Sequence, residues 1–217
     1  MDKLDAKAGC RVLEVGCGWG GFALQAINQG LDVTGVTLSP AQLQWARQTA
    51  PDADLRLQDY RDIDEQFDYL VSIEMFEAVG ERWWPSYFKM LSRALKDSGK
   101  AVVQTITIHE DLFKSYRRST DFIQQYIFPG GMLPSRPAFR KAAARHGLRV
   151  VDEYAFGKDY AKTLAAWRDR FEQNWSSIEP LGFDSEFRKL WNFYLAYCQT
   201  AFEQRNIDVV QFELRHA

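Results

Sequence analysis

Four glycines fall within six residues, Gly16, Gly18, Gly20 and Gly21, directly after the run Val12-Leu13-Glu14-Val15. The spacing puts glycine where a strand turns into a helix, so that backbone can approach a ligand and helix N–H groups can face it. Gly16, Gly18 and Gly21 also satisfy the dinucleotide pattern G-x-G-x-x-G, which would seat a pyrophosphate on the helix dipole. A dinucleotide site needs an acid about 20 residues on, at the end of the second strand, to hold ribose hydroxyls. The chain reads Gly35-Val36-Thr37-Leu38-Ser39 there, with no carboxylate. Glu14, two residues before the first glycine, instead offers a carboxylate at a strand's carboxyl end, suited to the ammonium group of an amino acid. A tight turn without a ligand is the weaker reading, because so many glycines weaken a fold that has no use for them.

The elements that must position this loop follow from periodicity. Short β-branched runs alternate with amphipathic helical patterns through the first half, the signature of βαβ units around a mostly parallel, doubly wound α/β sheet. Strands are expected at Val12–Val15, Asp32–Thr37, around Leu55 and Leu57, at Phe67–Ile73 and at Ala101–Ile108. A helix from Trp19 to Asn28 stops at Gly30, and one carrying Tyr87, Leu91 and Ala94 is ended by Gly99. Ser39, Pro40 and Gln42 fit a helix start with a capping box. Tyr126-Ile127-Phe128-Pro129-Gly130-Gly131 is loop chemistry, so 109–142 reads as an insertion over the sheet. The stripes Leu164/Trp167/Phe171/Trp175 and Phe187/Trp191/Tyr194/Cys198 predict two long aromatic helices, and alternating Val210, Phe212 and Leu214 predict a closing strand. The expectation is an open seven-stranded sheet whose last strand is antiparallel, residues 1–217 forming a single domain with cap elements at 109–142 and 160–204.

Composition limits the partners. The 27 basic and 29 acidic residues leave a formal charge of −2, so no global positive field favours nucleic acid. Cys10, Cys17 and Cys198 form no C-x-x-C pair, which writes neither a disulfide framework nor a cysteine metal site; no metal is expected, and a reducing cytoplasm fits. Met1-Asp2-Lys3-Leu4-Asp5 has no apolar leader region, and no apolar run is long enough to span a bilayer, so membrane contact is expected to be peripheral. Fifteen Phe, nine Tyr and seven Trp suit a chain that lines an apolar pocket as well as a core. The sequence sets no oligomeric state.

An acid followed by glycine-rich sequence is the pattern of S-adenosylmethionine (SAM) methyltransferases, and longer blocks narrow it. Val12 to Gly21, Gly35 to Ser39, Gln58-Asp59-Tyr60-Arg61-Asp62, Met75-Phe76-Glu77-Ala78-Val79-Gly80, Tyr126 to Ser135 and Phe156-Gly157-Lys158-Asp159-Tyr160 span nearly the whole chain. In these blocks the chain resembles the cyclopropane-fatty-acyl-phospholipid synthases and the related fatty-acid and mycolic-acid methyltransferases. The resemblance implies a class I, Rossmann-like methyltransferase fold with a helical cap. It implies SAM held by Glu14, Gly16, Cys17, Gly18, Trp19, Gly20, Thr37, Leu38, Ser39, Gln42, Asp59 and Tyr60. Ser39 and Gln42 are equally explained as a helix cap, and Tyr60 as a core aromatic.

The activity implied is attack of an acyl-chain alkene on the sulfonium methyl, followed by proton loss from the resulting cation. In the family a bound bicarbonate is thought to take that proton, held by a Glu, a His, a Tyr and backbone near an Ile and a Cys. Glu77, Tyr160 and Ile106 match three of these positions. Glu77 also reads as a solvated helix-start carboxylate, and Tyr160 as a helix-start tyrosine. The His position is Gln104, which can hydrogen-bond but cannot carry a proton. Proton loss from a neighbouring carbon would then leave a methylene-branched or rearranged product in place of a cyclopropane ring. Family members also carry a helical segment ahead of the glycine-loop strand, with the active-site Cys and further SAM contacts, whereas this chain reaches that strand at Arg11. The substrate implied is the unsaturated acyl chain of phospholipid at a membrane surface. Methylation of a soluble metabolite and non-catalytic binding of lipid or SAM are the competing readings.

Overall fold

Alternation along Arg11–Val15 buries Val12 and Leu13 in different clusters on the two faces of one sheet, and the rest of the fold repeats that logic. A computed structural model describes residues 3–217; the reading of Met1 to Asp5 falls partly on Met1 and Asp2, which lie outside the described residues. In chain order come β1 (Arg11–Val15), α1 (Gly21–Ile27), β2 (Asp32–Thr37), α2 (Pro40–Thr49), β3 (Asp54–Leu57) and β4 (Phe67–Ile73). Then come α3 (Phe76–Val79), α4 (Trp84–Ala94), β5 (Leu95–Ile108), α5 (Glu110–Tyr116), α6 (Phe122–Tyr126) and α7 (Arg136–Ala144). The chain ends with β6 (Leu148–Ala155), α8 (Gly157–Gln173), α9 (Trp175–Ile178), α10 (Ser185–Glu203) and β7 (Ile207–His216).

The seven strands form one sheet in the order β3-β2-β1-β4-β5-β7-β6. Pairing is parallel from β3 through β5, and β7 runs antiparallel to both β5 and β6. The order reverses between β1 and β4, and a crevice for ligands opens at the carboxyl ends of strands flanking such a reversal. Both the glycine loop after β1 and the turn after β4 sit there. One face is covered by α4 and α7, whose Tyr87, Phe88, Leu91 and Phe139 join Leu13, Phe67 and Phe212 in the largest cluster. Phe139 stacks on Phe212 with ring centroids 4.1 Å apart. The other face holds Val12, Ala23, Ala26, Val33, Leu43 and Val71. A third cluster ties α8 and α10 to β7 through Leu164, Leu195, Phe202 and Val209.

Several expectations are corrected. The first helix begins at Gly21 and not Trp19, because Gly20 caps it in the left-handed conformation with φ of 85°. Ser39 caps α2 by accepting from the Gln42 N–H at 3.2 Å, but the box is half closed. The Gln42 side chain accepts instead from the Thr37 hydroxyl, and the Ser39 N–H donates to Thr37. Gly99 does not end a helix. The helix stops at Ala94, and Gly99 lies in a bulge of β5 where the register jumps from Phe67 paired with Leu95 to Tyr69 paired with Lys100. A Cβ there would lie 2.9 Å from the Asp68 carbonyl. The edge strand β6 went unnamed in the sequence because its alternation is broken by a shift between Val150 and Asp152. Of the span 109–142, α5 and α6 line the cavity described below, while α7 packs on the sheet.

Candidate active site

The glycine loop is fixed to the neighbouring strand β2: the N–H groups of Gly16 and Cys17 both donate to the Val36 carbonyl, at 3.0 and 2.9 Å. Gly16, Gly18 and Gly20 all take positive φ, at 87°, 50° and 85°. Their surroundings differ. A Cβ on Gly16 would meet Met75 at 2.9 Å and one on Gly20 would meet Ala46 backbone at 3.1 Å, whereas nothing lies within 4 Å of one on Gly18. Gly16 and Gly20 let the loop pack, and Gly18 leaves space for something outside it. Cys17 turns inward and is buried; burial, then the neighbouring Glu14, push its thiol up to about 11. Trp19 and Leu38 are exposed, and Trp19 meets Trp45 edge-on at 6.3 Å. Asp59 caps the short turn Tyr60–Asp62 and is bound to the Arg61 guanidinium at 2.6 Å, which holds its carboxyl below the usual range. Tyr60 packs on Tyr87.

Glu14 lies on β1, 3% exposed. Burial lifts its carboxyl to about 8, the backbone N–H of Ala23 pulling the other way, and its Oε2 has no hydrogen-bond partner. A buried carboxyl with a spare oxygen needs a proton or a cation. An amino-acid ammonium supplies the cation, so Glu14 and the open face at Gly18 fit the methionyl part of SAM. Because the folded value is about 8 against 4.5 for an ordinary glutamate, the unfolded chain releases this proton first. The stability that Glu14 contributes is full below about pH 4.5 and is lost as pH rises through about 8. Glu14→Gln is therefore expected to be the more stable protein at about pH 8. It should also remove one proton's share, up to about 1.4 kcal/mol per pH unit, from the slope of unfolding free energy against pH. Urea titrations of both proteins between about pH 5 and about pH 8 read that slope, and parallel lines would mean that Glu14 stays ionised in the folded chain.

Across the crevice, the chain leaves β4 through Glu74, a non-glycine residue with φ of 52°. Its N–H donates to the Gln104 carbonyl at 2.8 Å, and its side chain gathers the two groups that sequence reading placed around an anion. The Tyr160 hydroxyl donates to Glu74 Oε2 at 2.6 Å and the Gln104 amide to Oε1 at 2.8 Å. Gln211 on β7 donates to the Gln104 carbonyl oxygen at 3.0 Å, which fixes the direction of that amide. Burial, with Glu74 beside it, pushes the Tyr160 phenol well above its ordinary range.

Glu77, on α3, is held apart from this group. Its Oε1 accepts from the Ile106 N–H at 2.5 Å and its Oε2 is buried without a partner. Burial raises its carboxyl to about 7 against the Ile106 N–H, and Glu74 raises it further. The Phe128–Gly131 turn locks α3 in place, since the Met132 N–H donates to the Glu77 carbonyl at 2.8 Å and Gln124 donates to the Gly131 carbonyl. Tyr160 and Gln104 are joined through Glu74, and Ile106 is joined to Glu77. The donors read as an anion's cradle are engaged by Glu74 and Glu77.

Glu74, Glu77, Ile106 and Tyr160 all line one cavity of about 770 Å³, which continues under the cap past Tyr116, Leu133, Leu164, Phe193 and Tyr197. Sequence reading missed Glu74, although a carboxylate directly after the central strand, at the reversal of strand order, was a signal in plain view. It also did not name Phe193 and Tyr197, which α10 brings to the cavity. Among the described residues no helix is long and apolar enough to cross a membrane, and no group of three His, Cys, Asp or Glu is placed to hold a metal.

Comparison with known proteins adds the relatives. A family model for mycolic acid cyclopropane synthetase matches residues 1–212. The chain is 40% identical over 221 residues to the tuberculostearic acid methyltransferase of Mycobacterium tuberculosis, covering 99% of this chain and 52% of that protein. It is 38% identical over 213 residues to the cyclopropane-fatty-acyl-phospholipid synthase of Escherichia coli, covering 97% and 54%. The chain spans about half the length of these relatives. A mycolic acid cyclopropane synthase solved with SAH and CTAB matches at a TM-score of 0.90 and 30% identity, over 98% of this chain and 80% of that one.

Proposed function

Because this chain belongs to the mycolic acid cyclopropane synthetase family, we propose that it methylates a double bond in an unsaturated acyl chain of phospholipid, using SAM, and leaves a methylene-branched product. The observation that carries this reading is the apolar cavity that begins at two carboxylates and runs out under an aromatic cap. A soluble polar metabolite would need its polar groups met by the walls; this lining is mainly apolar, with Ile106, Ile108, Leu112, Leu133, Leu164 and Phe193 among it. The relatives agree in kind, being named for a tuberculostearic acid methyltransferase and a cyclopropane-fatty-acyl-phospholipid synthase.

The glycine loop, with Glu14 for the ammonium and the exposed Trp19 and Leu38 as walls, would hold SAM, which supplies a sulfonium methyl group when bound. Asp59 would serve there only by sharing its bond with Arg61. Thr37, Ser39 and Gln42 act through the turn they brace. At the cavity's inner end the chain positions an alkene by shape and keeps water away from it. Tyr126, Phe128, Phe193 and Tyr197 are exposed large aromatics of the cap, and Phe128, Phe193 and Tyr197 also line the cavity. They offer a route for an acyl chain from a membrane surface touched only peripherally. Gln104 cannot relay a proton, which is the basis for expecting a branched product.

The test is incubation with methyl-labelled SAM and vesicles of unsaturated phospholipid. Released acyl chains should gain label and the mass of one methylene unit. Ring and methylene branch are isomers, so proton NMR separates them: olefinic methylene signals support the branched product, and upfield ring signals overturn it. Label found only in water-soluble acceptors would overturn the lipid reading altogether.

A further inference from the structure

The strand-end turn at Glu74 carries a cost that packing does not explain. A glutamate with φ of 52° occupies a conformation that glycine adopts freely. What the glutamate adds is a carboxylate at the wall of the cavity, with one neutral donor on each oxygen: Tyr160 at 2.6 Å and Gln104 at 2.8 Å. Gln211 orients the Gln104 amide so that its nitrogen, and not its oxygen, faces Glu74. Each carboxylate oxygen still has a second lone pair.

Methylation of an alkene demands a base. The π pair forms the new bond to the methyl carbon while the sulfur–carbon bond breaks toward sulfur, leaving a cation on the neighbouring chain carbon. A proton must then leave the added methyl group: lost directly, its electron pair closes a ring, and lost after a hydride shift has moved the cation onto the carbon that bears the methyl, it forms a methylene double bond. Glu77 has one oxygen on the Ile106 N–H and a second that is buried with no donor to orient it, whereas Tyr160 and Gln104 fix both oxygens of Glu74 at the cavity wall. We propose that Glu74 is the general base, a carboxylate of the chain itself standing where Tyr160 and Gln104 would otherwise hold a dissociable anion, so that turnover needs no bicarbonate. The proton ends on Glu74 and passes to solvent after product leaves, so the reaction yields product, demethylated SAM and one proton. This inference rests on the acyl-methylation reading.

Two variants test it. Glu74→Gln keeps the shape and removes the basic site; it should lower turnover on dioleoylphosphatidylglycerol vesicles about 100-fold or more, with affinity for demethylated SAM, by calorimetry, within about threefold of the parent. Glu74→Gly suits the backbone and opens a space beside Tyr160 and Gln104. Added bicarbonate should restore part of the turnover of Glu74→Gly while leaving the parent unchanged in buffer freed of carbon dioxide. Binding of carbon-13 bicarbonate, followed by NMR, is a readout independent of activity: the glycine variant should bind it and the parent should not. Parent turnover that falls without bicarbonate, or bicarbonate bound by the parent, overturns the proposal. A parent that modifies no acyl chain overturns the methylation reading instead, and the NMR comparison still decides whether Glu74 fills the anion's place.

Discussion

Glu77→Gln is expected to lower the turnover number by about 10² to 10³-fold while changing affinity for demethylated SAM by less than about threefold. The asymmetry follows from position. Glu77 lines the cavity and is buried, with one oxygen on the Ile106 N–H and the other without a partner among the described residues. Burial holds its carboxyl at about 7, so near neutral pH it is divided between acid and carboxylate. A cation forming in a dry cavity is stabilised by a fixed negative charge far more than it would be in water. The ionised form is therefore the active one, and turnover should climb with pH through about 7 and level off above it. Glutamine preserves the bond to Ile106 but supplies no charge, so the climb should vanish with the rate. Rate measurements from about pH 6 to about pH 9 on both proteins check this. Equal losses in turnover and cofactor affinity, or an unchanged pH profile in the variant, would remove Glu77 from the chemistry. On the proposed reaction the two carboxylates divide the work, Glu74 taking the proton and Glu77 countering the charge.

What could be read from the sequence separates along physical lines. β2 and β4 were read at their observed bounds because each is rich in β-branched and apolar residues, most of which the parallel sheet buries. The cap of α2 was legible because Ser39, Pro40 and Gln42 act within four residues. The bulge at Gly99 was not, since its glycine answers to Leu95 and to Asp68 on a neighbouring strand. Glu77, Tyr160, Gln104 and Ile106 were named through family motifs, and the structure joins them in two groups, Tyr160 with Gln104 through Glu74 and Ile106 with Glu77. Their hydrogen-bond partners were illegible, because the contact between Glu74 and Tyr160 closes over 86 residues and depends on a backbone conformation that side-chain pattern does not encode. Propensity rules would have put glycine at position 74. Its glutamate is the local exception on which the proposed role of Glu74 rests.

Gly18→Val should abolish detectable binding of demethylated SAM, a weakening of more than about 100-fold, and the structure explains why this glycine and not its neighbours is the test. At Gly16 and Gly20 an added Cβ would strike Met75 or the Ala46 backbone, so substitutions there disturb loop packing and lose binding through the fold. At Gly18 no heavy atom lies within 4 Å of the added carbon. A valine therefore projects into open space at the carboxyl end of β1, where the backbone is bare for a ligand. Its cost to the fold is the backbone strain of a β-branched residue at φ of 50°, on the order of 1–2 kcal/mol, which a thermal melt registers as a modest shift. Gly18→Ala carries much of the strain but less bulk, so it should melt near the valine variant and still bind, weakened by about tenfold. The ordering separates strain from obstruction: if strain governed binding, the two variants would lose affinity together. If Gly18→Val bound with the parent's affinity, the loop would be a packing device only, and the orphaned oxygen of Glu14 would need another cation.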